Sequence, residues 1–138
     1  MSEQLIEKFI EALGRLEAER DVETIAALYA DDARIGNVTA TADHTGRDGA
    51  REFWTKYRDT FGEVRSTFRN RIVAQGRAAL EWTTEGTTAG GSPIRYDGVS
   101  ILEHDGERLT RFHAYFNPEA LGRQVEKAVG VRQSGVAS

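Results

Sequence analysis

The sequence predicts an α+β domain, with helices first and antiparallel strands after. Three observations carry this. Apolar residues recur at helical spacing from Leu5 to Phe61. From position 64 to 117 the period changes to two. Asp105-Gly106 lies between two such alternating runs, and that dipeptide suits a tight hairpin turn. Helices grouped ahead of hairpins, not interleaved with strands, form the α+β pattern. A long bent sheet that curls around helices leaves a cavity between them, the usual place for a ligand.

The first helix is expected over 3–18. Leu5, Phe9, Ile10, Leu13 and Leu16 share one face, and Glu7, Lys8, Glu11 and Arg15 the other. Asp21 stands as N-cap of a second, shorter helix, with Thr24 three residues on. Its apolar stripe is Val22, Ile25, Ala26, Leu28 and Tyr29, and Asp31-Asp32 ends it. Ala33 to Ile35 reads as a short strand, and 36–49 as turns rich in Gly, Asn and Asp. Phe53, Trp54, Tyr57 and Phe61 make the face of a third helix, stopped by Gly62. Four strands follow at 64–74, 77–88, 94–104 and 108–117. Gln75-Gly76, Ala89 to Pro93 and Asp105-Gly106 separate them. Pro118 opens a final helix from the position that favours proline. One domain is expected over 1–129, with a small, polar, frayed tail over 130–138.

Composition excludes several function classes. The net charge of −4 and the scattered arginines give nucleic-acid phosphates no basic patch, so no nucleic-acid partner is expected. The absence of cysteine removes disulfides, thiolate metal sites and a cysteine nucleophile. The acidic start lacks the basic and apolar regions of a secretory signal. No run approaches the roughly 18 apolar residues of a membrane span. A cytoplasmic location and no membrane partner are therefore expected. The histidines at 44, 104 and 113 are too dispersed for a metal motif, and Gly90-Gly91 does not precede a helix as a phosphate loop would. No metal and no cofactor are expected.

The last strand, Leu109 to Asn117, is the most informative stretch. Arg111, His113, Tyr115 and Asn117 share one face, and Phe112, Ala114 and Phe116 the other. An imidazole, a phenol and a carboxamide in a row suit a half-polar pocket wall; a solvated face with one tyrosine is the competing reading. His113, with an unperturbed pKa near ~6.5, is the natural acid/base of the set. Asn117 is placed either to hold a carbonyl or enolate oxygen or to cap the final helix. Tyr115 reads as wall. Tyr29, Trp54, Tyr57 and Trp82 are read mostly as core aromatics, with one or two expected to line an apolar cavity suited to a planar ligand. Asn70, between Phe68 and Ile72, must be hydrogen-bonded or face that pocket if it is buried. Asp43-His44 is either a solvated turn or an acid/base pair at the pocket mouth. His104 falls in a hairpin turn and is expected to be exposed, and Arg111 is expected to meet solvent or a carboxylate.

Three stretches carry a family resemblance: Asp21 to Ala33 (DVETIAALYADDA), Thr45 to Phe53 (TGRDGAREF), and Gly98 to Pro118 with its closing Tyr-Phe-Asn-Pro. On these the chain resembles the nuclear transport factor 2-like superfamily, and within it the SnoaL-like polyketide cyclases. The resemblance implies a cone: three N-terminal helices packed into a strongly curved mixed, mainly antiparallel sheet, with the pocket inside. It also implies a homodimer through the outer sheet face. In the cyclases the last strand ends in Tyr-x-Asp-Pro and the aspartate moves the proton; here that position is Asn117, which cannot. The ketosteroid isomerase base would fall near Asn37 and its first-helix tyrosine near Phe9. The epoxide hydrolase Arg/Asp pair would fall near Glu85-Gly-Thr87, so neither pattern is present. The resulting expectation is a binder of a small apolar carbonyl compound, performing cofactor-free cyclase or isomerase chemistry through His113 and Asn117. The rival expectations are a ligand-binding module without chemistry and a protein-interaction domain of the same fold.

Overall fold

The computed structural model describes residues 2–39, 42–119 and 121. The elements in order are α1 (Ser2–Glu19), α2 (Val22–Ala26), β1 (Tyr29–Asn37), β2 (His44–Thr45), α3 (Gly46–Asp59), β3 (Phe61–Ala74), β4 (Arg77–Thr88), β5 (Pro93–His104) and β6 (Leu109–Phe116). One six-stranded sheet runs β2-β1-β6-β5-β4-β3. Among the described residues only β1 and β6 pair in parallel; the other neighbours are antiparallel. The three helices pack into the curve of this mixed sheet, so the α+β cone is formed.

Local chemistry explains most boundaries. Asp21 caps α2: Oδ1 accepts the Thr24 N–H at 3.2 Å and Oδ2 the Thr24 hydroxyl at 2.7 Å. The helix stops at Ala26, earlier than its apolar stripe suggests. The Leu28 carbonyl accepts the Leu109 N–H at 2.8 Å, and Tyr29 pairs with Leu109 in the sheet. Pairing with β6 thus draws the chain out of the helix, and β1 is longer than Ala33 to Ile35. Asp31 and Asp32 do not end a helix. They lie exposed in β1, where the register slips between Tyr29 and Arg34. The third helix likewise ends at Asp59, and Phe61 belongs to β3. Arg58 fixes that junction by donating to the carbonyls of Phe61 and Gly62, both at 3.1 Å. The short β2 within the turn-rich segment carries no sequence signal of its own.

The core lies between the helices and the inner sheet face. Phe9 and Leu16 of α1 and Leu80 and Leu102 of the sheet are essentially inaccessible to water. The opposite face of the sheet carries charge pairs such as Arg65–Glu85 and Arg69–Glu81, which at such exposure add little stability. Pro118, Glu119 and Leu121 are helical. The rest of the expected final helix, and the tail over 130–138, lie outside the described residues. Among the described residues no helix is long and apolar enough to cross a membrane.

Candidate functional site

Inside the cone is a cavity of about 600 Å³, within the range typical of small-molecule sites. Its walls are aromatic. On α3 the Trp54 ring meets Tyr57 edge-on at 5.3 Å and Phe112 of β6 at 5.0 Å. Across the sheet, Trp82 meets Tyr96 at 5.3 Å, and Tyr96 meets Phe116 at 5.4 Å, both edge-to-face. Trp82 is held in place from two sides. Its indole N–H donates to Ser100 Oγ at 2.9 Å. Its ring also lies over Gly98, its partner across β4 and β5, where a Cβ would come within 2.5 Å of the ring.

A polar cluster centred on Glu17 stands among these walls. Glu17 of α1 is 5% exposed. Its Oε1 accepts the Ser66 N–H at 2.9 Å, and its Oε2 accepts the hydroxyls of Tyr57 at 2.7 Å and Ser66 at 2.6 Å. Ser66 Oγ is in turn 2.7 Å from Thr84 Oγ1. Tyr57, Ser66 and Thr84 all line the cavity, so a buried carboxylate stands directly behind its wall. Burial, and then the charge of Glu17, hold the Tyr57 phenol well above its ordinary pKa. The same two causes raise the Tyr96 phenol. Both therefore face the cavity as neutral hydroxyls. Among the described residues the Tyr96 hydroxyl has no protein hydrogen-bond partner, which leaves it available to a ligand.

The residues expected at the site divide between two places. Trp54, Tyr57 and Trp82 line the cavity. Tyr29 lies behind it, fully buried, and its hydroxyl accepts the Trp54 indole N–H at 3.2 Å. Asn70 is exposed and donates to Glu81, because a register shift after Phe68 breaks the alternation that would have put both residues on one face.

The last strand needs the main correction. Phe112, Ala114 and Phe116 face the cavity, and the His113, Tyr115 and Asn117 face is turned outward. His113 pairs in register with Ile101 and Gly36, its ring 4.5 Å from that of Tyr115. Desolvation, and then the charge of Arg111, lower its pKa, with Asp43 opposing. Tyr115 is 41% exposed, and its hydroxyl accepts from Arg111 at 3.4 Å. Asn117 accepts the Glu119 N–H at 3.0 Å, which is the capping role. The reason is hydrophobic: β6 turns its aromatic face to the other rings and leaves the hydrogen-bonding groups outside.

The other histidines also differ from expectation. His44 lines the cavity, edge-on to Phe53 at 5.8 Å, with Nε2 3.8 Å from Glu52 and, among the described residues, Nδ1 buried without a partner. His104 is buried, not exposed, and its Nδ1 accepts the Gly106 N–H at 3.0 Å. Asn37 and Phe9, where the isomerase groups would fall, do line the cavity; Asn37 Oδ1 is occupied by the N–H and hydroxyl of Thr39. Among the described residues no group of acidic or histidine side chains is arranged to hold a metal. Glu17 is the residue that sequence reasoning missed. Its signal was present: it follows Leu13 by four and Phe9 by eight, a carboxylate on the apolar stripe of α1.

Comparison with known proteins agrees with this architecture. The SnoaL-like domain family matches residues 6–112. No curated protein matches the chain. Among solved structures, an NTF2-like protein from Anabaena variabilis superposes with a TM-score of 0.77 at 14% identity, covering 84% of this chain and 89% of its own. TerC, co-crystallised with polyporic acid, gives 0.77 at 20% identity, covering 91% and 98%. A LEH-like epoxide hydrolase from M. tuberculosis gives 0.73 at 17% identity, covering 99% and 98%.

Proposed function

Since the chain belongs to the SnoaL-like domain family, we propose that it binds a small, flat, mainly apolar molecule with one or two oxygen functions inside the cone. The observation that carries this is the cavity itself: about 600 Å³ walled by aromatic rings, with the Glu17–Tyr57–Ser66 cluster as a polar patch in its wall. Rings recognise a planar body through area and edge-to-face contact, and the cluster orients its polar group. Relatives of this fold that hold small molecules, such as TerC with polyporic acid, support the reading at the level of the fold.

The chain has two tryptophans, Trp54 and Trp82, and both line the cavity, so intrinsic fluorescence reports on its contents. Titration with flat naphthoquinones and naphthols is expected to quench it saturably, and Ala114→Leu, which fills the cavity from β6, is expected to abolish the quenching while circular dichroism is unchanged. Saturable quenching that survives Ala114→Leu would place the ligand elsewhere.

Acid/base chemistry of the cyclase or isomerase kind is the second reading, favoured by a 2.7 Å contact between Tyr57 and a buried carboxylate. A proton from the ligand would pass to Tyr57 Oη as the Tyr57 proton passes to Glu17, leaving no charge stranded between them.

We also place a homodimer contact on the outer sheet face, where Val99, Ile101 and His113 are only half-covered and Tyr115 is exposed. Sedimentation equilibrium is expected to give twice the 15.3 kDa chain mass; the monomer mass at micromolar concentration removes this assignment.

A further inference from the structure

Beside Glu17 the cavity wall is built so that Tyr57 accepts a hydrogen bond and does not donate one. A carboxylate can only accept, so the Tyr57 and Ser66 hydroxyls, 2.7 Å and 2.6 Å from Glu17 Oε2, both direct their protons toward it. With its proton so placed, Ser66 Oγ accepts from Thr84 at 2.7 Å. The chain of donors runs one way, from Thr84 through Ser66 and from Tyr57, into the carboxylate. What Tyr57 offers the cavity is therefore an oxygen lone pair. Raised by burial and by the Glu17 charge, its phenol keeps its proton on that bond.

Among the described residues no cation is paired with Glu17, and the buried Arg58 is turned to the Phe61 and Gly62 carbonyls. Among the described lining residues the one permanently charged side chain is Lys56, which is 68% exposed and 3.1 Å from Glu52 on its own helix. An anion at the Tyr57 end would meet a lone pair and a buried carboxylate across an apolar medium, where like charges repel strongly. A neutral hydroxyl would instead extend the donor chain by one link, each bond polarising the next.

We propose that the cavity selects a neutral hydroxyl donor on a flat apolar body, a phenol or an enol, and rejects the corresponding anions. This rests on the cavity being the ligand site. The ligand hydroxyl donates to Tyr57 Oη, and Glu17 sets the sign of the selectivity through that phenol.

The test is calorimetric titration at pH 7 with three probes of one shape: 2-naphthol, 2-methoxynaphthalene and 2-naphthoate. Naphthol is expected to bind about tenfold more tightly than the methoxy compound, the worth of one hydrogen bond to a buried acceptor. Naphthoate is expected to bind more weakly still. Tyr57→Phe is expected to bring naphthol down to the methoxy affinity and leave the methoxy affinity unchanged. Glu17→Gln, which removes the charge and keeps an acceptor oxygen, is expected to narrow the gap between naphthol and naphthoate. Naphthoate binding as tightly as naphthol to the wild-type protein overturns the selectivity and leaves the cavity reading standing. Equal affinity for naphthol and its methyl ether overturns the donor assignment in the same way. Failure of all three probes to bind overturns the cavity reading, and the inference with it. The wild-type series needs no variant, so a poorly folding mutant does not blunt it.

Discussion

Glu17→Ala is expected to lower the stability of the protein by about 3 kcal/mol. Glu17 satisfies one donor that cannot turn away, the Ser66 N–H at 2.9 Å, and two hydroxyls that can rotate into the cavity. Stranding a buried backbone donor costs about 1–3 kcal/mol, and the space left at a site only 5% exposed adds to that. Acting against this, removal of a buried charge also removes its desolvation penalty. The donors win because an alanine at 17 gives the Ser66 N–H no acceptor. Glu17→Gln keeps one and is expected to cost only about 1 kcal/mol. Urea unfolding of the two variants checks the difference; equal losses would mean that the volume, not the acceptor, matters. If the cavity also moves protons, Glu17→Gln should stop deuterium exchange into a bound enolisable ketone while the fold survives, since a carboxamide cannot take the Tyr57 proton. Exchange at the wild-type rate in that variant would remove the catalytic reading.

Gly86→Ala is expected to cost about 3 kcal/mol, at the upper end for overpacking. A Cβ there would come within 2.0 Å of the Glu63 carbonyl oxygen and 2.9 Å of the Val64 Cα, both backbone atoms of β3. A rotamer change relieves a clash with a side chain, but here the strand itself must move. Gly86 pairs with Val64 just beyond the register shift that follows Phe61, where β3 leaves the end of α3 and bends over the cavity. Moving β3 outward also carries Phe61, Ser66 and Phe68 away from the lining they form. The variant should therefore lose ligand-induced tryptophan quenching along with stability. Gly98→Ala, by contrast, meets the Trp82 ring as well as a Tyr115 carbonyl, so part of its strain can pass into a side chain. Thermal unfolding of the pair should place Gly86→Ala lower. A Gly86→Ala protein as stable as the wild type would show that β3 and β4 are not held at this spacing.

Most of the framework was legible in the chain. The apolar spacing of Leu5, Phe9, Leu13 and Leu16 locates α1, and Asp21 with Thr24 locates the start of α2. The change to a period of two, with Gly76 and Asp105-Gly106 as breaks, locates the hairpins. These features were readable because backbone preference and side-chain burial act over a few neighbouring residues. The site was legible only in part. Trp54, Tyr57 and Trp82 could be named from their place on apolar faces, and they do line the cavity. Tyr29 and Asn70 could not be placed, because each depends on a partner far along the chain: Leu109 across β6 for Tyr29, and the slipped register against β4 for Asn70.

The sequence by itself determined the two faces of β6; it did not determine which of them looks inward. Alternation fixes that His113 and Phe112 are opposite, and it is silent on direction. The tertiary structure decided this, because Phe9, Phe53 and Trp54 come from helices more than fifty residues earlier and need an aromatic partner, which Phe112 supplies at 5.0–5.9 Å. The same assembly brought Glu17 from the first helix to Ser66 of β3, a separation of 49 residues, and so made a buried charge out of a carboxylate that local sequence could only mark as misplaced. Secondary structure is a short-range balance of torsion and burial. A site is made by which surfaces can share one interior, and that is settled only when every face has its partner.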